Sequence, residues 1–218
     1  MIDYKAARNQ MVDRQILARG VSDPKVLSAM REVPREEFIP PNQRGLAYAD
    51  MPLPIGEGQT ISQPYIVAYM IEMLGLRADD TVLEIGTGSA YAAAVLSRVA
   101  AEVFTVERVV SLAQKASETL ASLGYDNVHV LQADGTLGWP EHAPFDAIVV
   151  SAGGPCVPES LKSQLRVGGR MVIPVGSDDH QRLFQITRDS ETNFTTKVVA
   201  DVRFVRLIGD EGWEADTG

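Results

Sequence analysis

From residue 81 onward, short apolar runs alternate with helix-length segments. Strands are expected at 81–85, 102–106, 127–131, 145–150 and 170–174, with helices at 89–99, 109–123 and 158–165, the last ending near Gly168-Gly169. That alternation predicts a doubly wound α/β fold: a mostly parallel, Rossmann-like sheet with helices on both faces. Two further runs, 182–189 and 195–205, are joined by a short connection, so they should form an antiparallel hairpin at one edge. Before the alternation, Ile66, Val67, Met70, Ile71 and Leu74 share one face of a helix that opens at Gln63-Pro64 and ends at Gly75.

The first 60 residues follow another pattern. Residues 3–30 read as two helices. The first runs to about Ala18 and stops at Gly20, and Ser22-Asp23-Pro24 caps the second. In residues 34–60, Pro34, Pro40, Pro41, Pro52 and Pro54 alternate with Gly45, Gly56 and Gly58, while Phe38, Leu46, Leu53 and Ile55 serve as apolar anchors. This is an ordered loop, and a loop of this length in a compact unit points to function. Residues 1–218 are expected to form one domain, with 1–63 as an N-terminal helical lid and acceptor-side loop.

Composition narrows the partners. A chain of 218 residues with 45% apolar residues can fill a real core. A net charge of −9 argues against nucleic acid, which needs clustered Lys and Arg. With one cysteine, Cys156, there is no intramolecular disulfide. No signal peptide or long apolar span is visible, so no membrane role and a cytoplasmic location are expected, as a monomer.

The chemistry centres on Val82-Leu83-Glu84-Ile85-Gly86-Thr87-Gly88-Ser89-Ala90-Tyr91, a buried strand, a glycine turn and a helix start. Such a turn lies at the carboxyl end of a parallel strand, where open α/β sheets bind ligands. Tyr91 stands where a dinucleotide fingerprint needs its third glycine, so NAD is not indicated. Glu107, at the end of the second strand, is placed to accept from a ribose diol; a solvated strand-end acid is the plainer alternative. Asp134-Gly135 after the third strand could take an adenine amine and let the backbone approach the ring, or could be a plain turn. Glu84 could order the loop, meet an ammonium group, or pair with a nearby Arg or Lys. An amine, a diol and an adenine occur together in S-adenosyl-L-methionine, whose carboxylate the glycine-turn amides could receive.

Over residues 8–213 the chain resembles the protein-L-isoaspartate O-methyltransferase family, class I S-adenosylmethionine-dependent enzymes. The matching stretches include MVDRQILARG, VLEIGTGSAYAAAVLSRVA, VFTVER, LQADGTLGWPEHAPFDAIVVSAG and LRVGGRMVIPVG. The segment from Pro54 to Pro64, PIGEGQTISQP, is far more specific than the glycine turn. The resemblance implies methyl transfer to L-isoaspartyl residues, or more weakly D-aspartyl residues, of damaged proteins and peptides, with S-adenosyl-L-homocysteine as product. It places acceptor contacts on Thr60, Ile61, Ser62 and Gln63, with Ser62 as the active-site serine. Its donor contacts fall on Gly86, Gly88, Glu107, Asp134 and Gly135, and Glu84, Thr87 and Arg108 are expected to join them at the donor site. The chain departs from the family pattern at Ala90, where a glycine is common, at Arg206, where a proline is often found, and in the glycine-rich segment 151–156. Ala90 is expected to tolerate its methyl group by being helical.

The other candidates carry less. Ser62 could simply cap the helix that follows. His129 is expected to be structural, and His142 and His180 make no metal motif, so no metal is expected. Trp139 should pack the donor-side loop, and Trp213 either anchors the tail or stands exposed. Two alternatives stay open: a methyltransferase for a small carboxylate metabolite, and a non-enzymatic module that binds an adenosine ligand.

Overall fold

Local capping sets the first helices. In the computed structural model, which describes residues 2–215, Asp3 accepts from the Ala6 N–H at 2.9 Å to start α1 (Tyr4–Met11). The ends of the expected 1–218 domain, Met1 and 216–218, lie outside the described residues. The helix continues through a π-helical stretch (Val12–Ile16) and a short 3₁₀ turn to Gly20. Asp23 caps α2 (Pro24–Glu32), whose first residue is the expected proline.

The 34–60 segment is ordered but is not only a loop. It contains an antiparallel hairpin, β1 (Leu53–Gly56) with β2 (Gln59–Ile61), turning at Glu57-Gly58. Pro54 and Gly56 hide such short strands from any alternation rule. Upstream, the fully buried Arg35 donates from Nε to the Ala47 carbonyl at 2.8 Å. Its guanidinium lies 4.9 Å from the centre of the Tyr91 ring, and burial lowers its pKa to about 10. This residue therefore ties the proline-rich segment to the first turn of the helix after the glycine turn.

The remaining elements follow as α3 (Pro64–Leu74), β3 (Thr81–Ile85), α4 (Tyr91–Leu96), β4 (Glu102–Glu107), α5 (Val110–Ser122) and β5 (Val128–Gln132). Then come β6 (Phe145–Val150), α6 (Glu159–Ser163), β7 (Leu165–Gly176), β8 (Gln181–Arg188) and β9 (Phe194–Val202). The seven-stranded sheet has the order β5-β4-β3-β6-β7-β8-β9. The first five strands in that order are parallel, and β8 and β9 are antiparallel, as the short connection predicts. Chain order reverses between β3 and β6, so their carboxyl ends form the switch point where such sheets bind ligands.

Several boundaries differ from expectation, and the helix expected at 89–99 spans only Tyr91–Leu96. The helix at 158–165 is only five residues long, and β7 begins at Leu165. Gly168-Gly169 sits inside that strand, where pairing with β6 shifts from Phe145↔Leu165 to Ala147↔Arg170. Strand β9 stops at Val202, leaving 203–208 free to cross the sheet's carboxyl edge.

Strand β6 is buried along its whole length, as a central parallel strand must be. Ala147 and Val149 face one apolar layer, and Ile148 and Val150 the other. Met11, Ile16, Val26 and Met30 join the first layer. The N-terminal helices are thus part of the core, and the stretch of residues 1–63 that reaches the cleft begins at Gln59. Among the described residues, no helix is long and apolar enough to cross a membrane.

Candidate active site

A cleft of about 840 Å³, its open mouth included, lies at the switch point. The ends of β3, β4 and β6 form its floor, and residues 59–62 and 205–208 form its walls. The glycine turn takes its shape from φ +91° at Gly86 and +53° at Gly88. Ala90 is also left-handed, with φ +70° and ψ +6°, so the helical conformation expected for it is wrong. Its buried methyl group is held in a backbone region that suits glycine better, because the chain must turn there before α4 can start.

Both glycine amides of the turn are already committed. Gly86 N–H donates to the Val106 carbonyl at 2.8 Å, and Gly88 N–H to Glu107 Oε2 at 2.9 Å. These two donors are therefore not free for a ligand carboxylate, contrary to expectation. The glycines instead leave room for close approach. Glu107 also accepts from Val109 N–H through Oε1 at 2.9 Å, so its carboxylate joins the glycine turn to the turn after β4. Each oxygen keeps one lone pair toward the cleft, which suits a diol. Arg108 is exposed on the same rim.

Glu84 lies fully buried at the cleft floor. Thr105 donates to its Oε2 at 2.7 Å, and Thr105 Oγ1 lies 2.7 Å from Thr87 Oγ1. Since a hydroxyl has one hydrogen, Thr87 donates to Thr105 and Thr105 to Glu84. Oε1 has no partner among the described residues, and no Arg or Lys pairs with this carboxyl, which removes the ion-pair alternative. Burial, opposed by the Thr105 hydrogen bond and reinforced by Glu107, pushes Glu84 up to about 8. An orphaned buried carboxyl beside a second carboxylate fits a cationic ligand such as S-adenosylmethionine.

Asp134 and Gly135 part company. Gly135 lines the cleft, and a β-carbon there would come within 2.6 Å of the Ile85 side chain, so only glycine fits. The Asp134 carboxylate is turned to the chain itself. Its Oδ1 accepts from Thr136 N–H and Oγ1, each at 2.8 Å, and Oδ2 from Asp210 N–H at 2.7 Å. It thereby anchors the C-terminal tail. Trp213 completes that anchor, donating from Nε1 to the Gly153 carbonyl at 3.0 Å. Trp139 packs edge-on to Phe104.

Ser62 sits where the cleft meets a second cavity. The N-cap position of α3 is Gln63, and Tyr65 N–H in its first turn goes to Asp50 Oδ1 at 3.3 Å, so Ser62 is not the helix cap. Among the described residues its hydroxyl has no hydrogen-bond partner. Ser62 and Thr60 line both the cleft and an adjoining open groove of about 1600 Å³. Ile61 is buried and also lines the cleft. Gln63 is half-committed: its Nε2 donates to Asp50 Oδ2 at 2.8 Å, which fixes the segment before the helix. Arg206 forms a two-pronged pair with Asp178 on the groove wall, with Nε 2.7 Å from Oδ1. Sequence reasoning missed Ser151, which lines both cavities, and most of the 205–208 wall. Applying the strand-end rule to 145–150, as it was applied to the other strands, would have found Ser151.

A switch-point cleft with a glycine turn, a strand-end acid at Glu107 and a buried acid at Glu84, on this sheet, defines a class I S-adenosylmethionine-dependent methyltransferase. The chain belongs to the protein-L-isoaspartate(D-aspartate) O-methyltransferase family, whose model matches residues 6–212. Protein-L-isoaspartate O-methyltransferase 1 of Rhodopseudomonas palustris strain HaA2 is 61% identical over 211 residues, 96% of this chain and 86% of that protein. A solved protein-L-isoaspartate O-methyltransferase superposes with a TM-score of 0.83 at 32% identity, covering 94% of this chain and 67% of the other. A Plasmodium falciparum protein described as a β-aspartate methyltransferase, solved with S-adenosyl-L-homocysteine, superposes at 0.79 with 26% identity, covering 92% and 98%.

Proposed function

We propose that this protein is a repair methyltransferase that esterifies the free α-carboxylate of L-isoaspartyl residues in damaged polypeptides. The observation that carries this reading is the position of Ser62, whose uncommitted hydroxyl lines both the cleft and the adjoining open groove of about 1600 Å³. Bound in the cleft, S-adenosylmethionine supplies an activated sulfonium methyl group. Glu107 receives the ribose hydroxyls, Gly86, Thr87, Gly88 and Arg108 shape the donor's surroundings, and Gly135 admits the adenine. Asp134 supports the adenine side chiefly by holding the tail in place. Glu84 meets the donor's positive charge.

The acceptor is ionised near pH 7, since an ordinary carboxylate titrates at about 4, so no general base is needed. What the protein must do is place a carboxylate oxygen in line with the methyl group at close contact. Ser62 orients that carboxylate by donating a hydrogen bond, and Thr60, Ile61 and Gln63 form the wall that presents it. The neighbouring backbone amide nitrogen then attacks the ester carbonyl and gives up its proton as methanol is expelled, leaving a succinimide that hydrolyses in part to normal aspartate. Residues 1–218 act as one domain, with 1–63 as the N-terminal helical lid and acceptor-side loop, whose segment 54–63 orders around the acceptor. We assign the protein to the cytoplasm, as a monomer; light scattering and cell fractionation test those two points.

The deciding experiment is methyl transfer to matched peptides carrying L-isoaspartate, L-aspartate or D-aspartate. Transfer to L-isoaspartate far above L-aspartate is expected. Equal transfer to both would remove the repair function, and transfer only to small carboxylates would favour a metabolite enzyme.

A further inference from the structure

We propose that Ser151 is a second acceptor-contacting residue: its hydroxyl and that of Ser62 each hold one oxygen of the acceptor carboxylate where cleft and groove meet. This assignment rests on the functional reading above.

Ser151 directly follows β6, and its N–H donates to the Ile85 carbonyl at 2.8 Å, adding one more rung to the β3–β6 ladder. Its backbone is therefore fixed by the sheet. Strand alternation turns its side chain to the side of Ala147 and Val149, the layer that also holds the α3 residues Val67 and Ile71. Helix α3 begins at Pro64, two residues after Ser62. The two serines thus reach one edge of the sheet from different directions. The glycine turn lies directly beside Ser151: a β-carbon at Gly86 would make ordinary contact with the Ser151 Cβ at 3.6 Å.

Both serines line three spaces: the donor cleft, the open groove and a small recess of about 260 Å³ behind them. The rest of that recess is apolar, with Val67, Met70, Ile71, Ala92 and Leu96 among its walls. It offers no acceptor side chain. Neither hydroxyl hydrogen-bonds to a described residue. Two half-buried hydroxyls with an apolar backing can donate only toward the opening in front of them. A carboxylate, with two oxygens and only acceptor capacity, matches that pair. With one hydrogen bond on each oxygen, a lone pair remains for attack. The attacking oxygen forms a bond to the methyl carbon as the sulfur–methyl bond breaks. That electron pair stays on sulfur, giving neutral S-adenosylhomocysteine and a methyl ester with no proton transferred.

The test is titration of an L-isoaspartyl peptide into enzyme saturated with S-adenosylhomocysteine, which binds the acceptor without turnover. Ser151→Ala should weaken peptide binding roughly 10- to 100-fold, the range for a hydrogen bond to a charged group, and lower kcat/KM by a similar factor. Affinity for S-adenosylhomocysteine should stay unchanged, and Ser151→Thr, which keeps the hydroxyl, should recover most of the loss. A control peptide with a carboxamide in place of the α-carboxylate should bind the parent enzyme and Ser151→Ala equally weakly. Unchanged peptide affinity and kcat/KM in Ser151→Ala would overturn the proposal. So would an equal loss of affinity for S-adenosylhomocysteine, which would make Ser151 a support of the donor cleft. If the parent enzyme binds S-adenosylhomocysteine but methylates no isoaspartyl peptide, the repair function itself falls, and the role of Ser151 with it.

Discussion

The two halves of the site are bonded in opposite ways. On the donor side almost every polar group near the glycine turn is already paired: Gly86 N–H with Val106, Gly88 and Val109 N–H with Glu107, and Thr87 through Thr105 with Glu84. On the acceptor side the hydroxyls of Ser62 and Ser151 are uncommitted, and the groove is walled by a tail and a turn that meet through the surface pair Arg206–Asp178. The contrast follows from the ligands. One small molecule of constant shape rewards a preorganised pocket, because ordering is then completed on folding rather than on binding. Polypeptides of many sequences require an open groove with few fixed contacts.

The sharpest way to break this comparison is Glu107→Ala. It removes the carboxylate we propose as the ribose acceptor and also leaves Gly88 and Val109 N–H unpaired, so donor affinity should fall by roughly 100-fold or more. Calorimetry with S-adenosylhomocysteine, read alongside the folded fraction, measures it. Wild-type affinity in a folded variant would show that the donor side is not organised by this carboxylate.

Glu84→Gln should have the next largest effect, and it depends on pH. Burial raises the Glu84 pKa from 4.5 to about 8, so between those values the folded protein holds a proton that the unfolded chain has released. The stability linked to this group is therefore complete below about 4.5 and is lost as pH rises to about 8. Glutamine carries no such charge, so urea unfolding of the variant should lack this slope. The two proteins should differ at pH 8 by on the order of a few kcal/mol, because each tenfold difference in proton affinity between folded and unfolded chain is worth about 1.4 kcal/mol. A cationic donor should pull the proton off Glu84, so donor binding near pH 7 should release a proton in the parent but not in the variant. Identical pH profiles would disprove the link.

Ala90→Gly should give a smaller change, and one that does not depend on pH. Relief of the left-handed alanine should stabilise the protein by about 1 kcal/mol after the entropy of glycine is counted. A lower urea midpoint would mean that the buried methyl group's packing outweighs the backbone strain. Asp178→Ala should do least to the protein as a whole. Donor affinity and unfolding should not change, because the pair is exposed, while the acceptor KM should shift as the groove wall loses this ion pair. A change in donor affinity would show that the two halves are coupled.

The donor half was more legible in the sequence than the acceptor half. Val82–Ile85, the glycines and Glu107 are close in the chain and obey local spacing rules, so the glycine turn and the strand-end acid could both be placed. Even there the sequence misread Ala90, since its left-handed turn follows from how α4 docks after β3. The β1–β2 hairpin stayed hidden because its strands are short and interrupted by proline and glycine. Ser62 was noticed through its resemblance to a family segment, yet its freedom from capping is visible only once Asp50 is seen to serve the start of α3.

The sequence by itself determined the order of strands and helices, the parallel sheet with its antiparallel edge, and the family, because periodicity and turn chemistry act between residues a few positions apart. Tertiary structure alone decided which polar groups remain free. Asp134 is taken up by Asp210, 76 residues away, and the Gly88 amide by Glu107, 19 residues away. Ser62 and Ser151, by contrast, come to one opening with their hydroxyls unspent. A hydrogen-bonding group is available to a ligand only if no distant part of the chain has satisfied it first, and that depends on the whole fold.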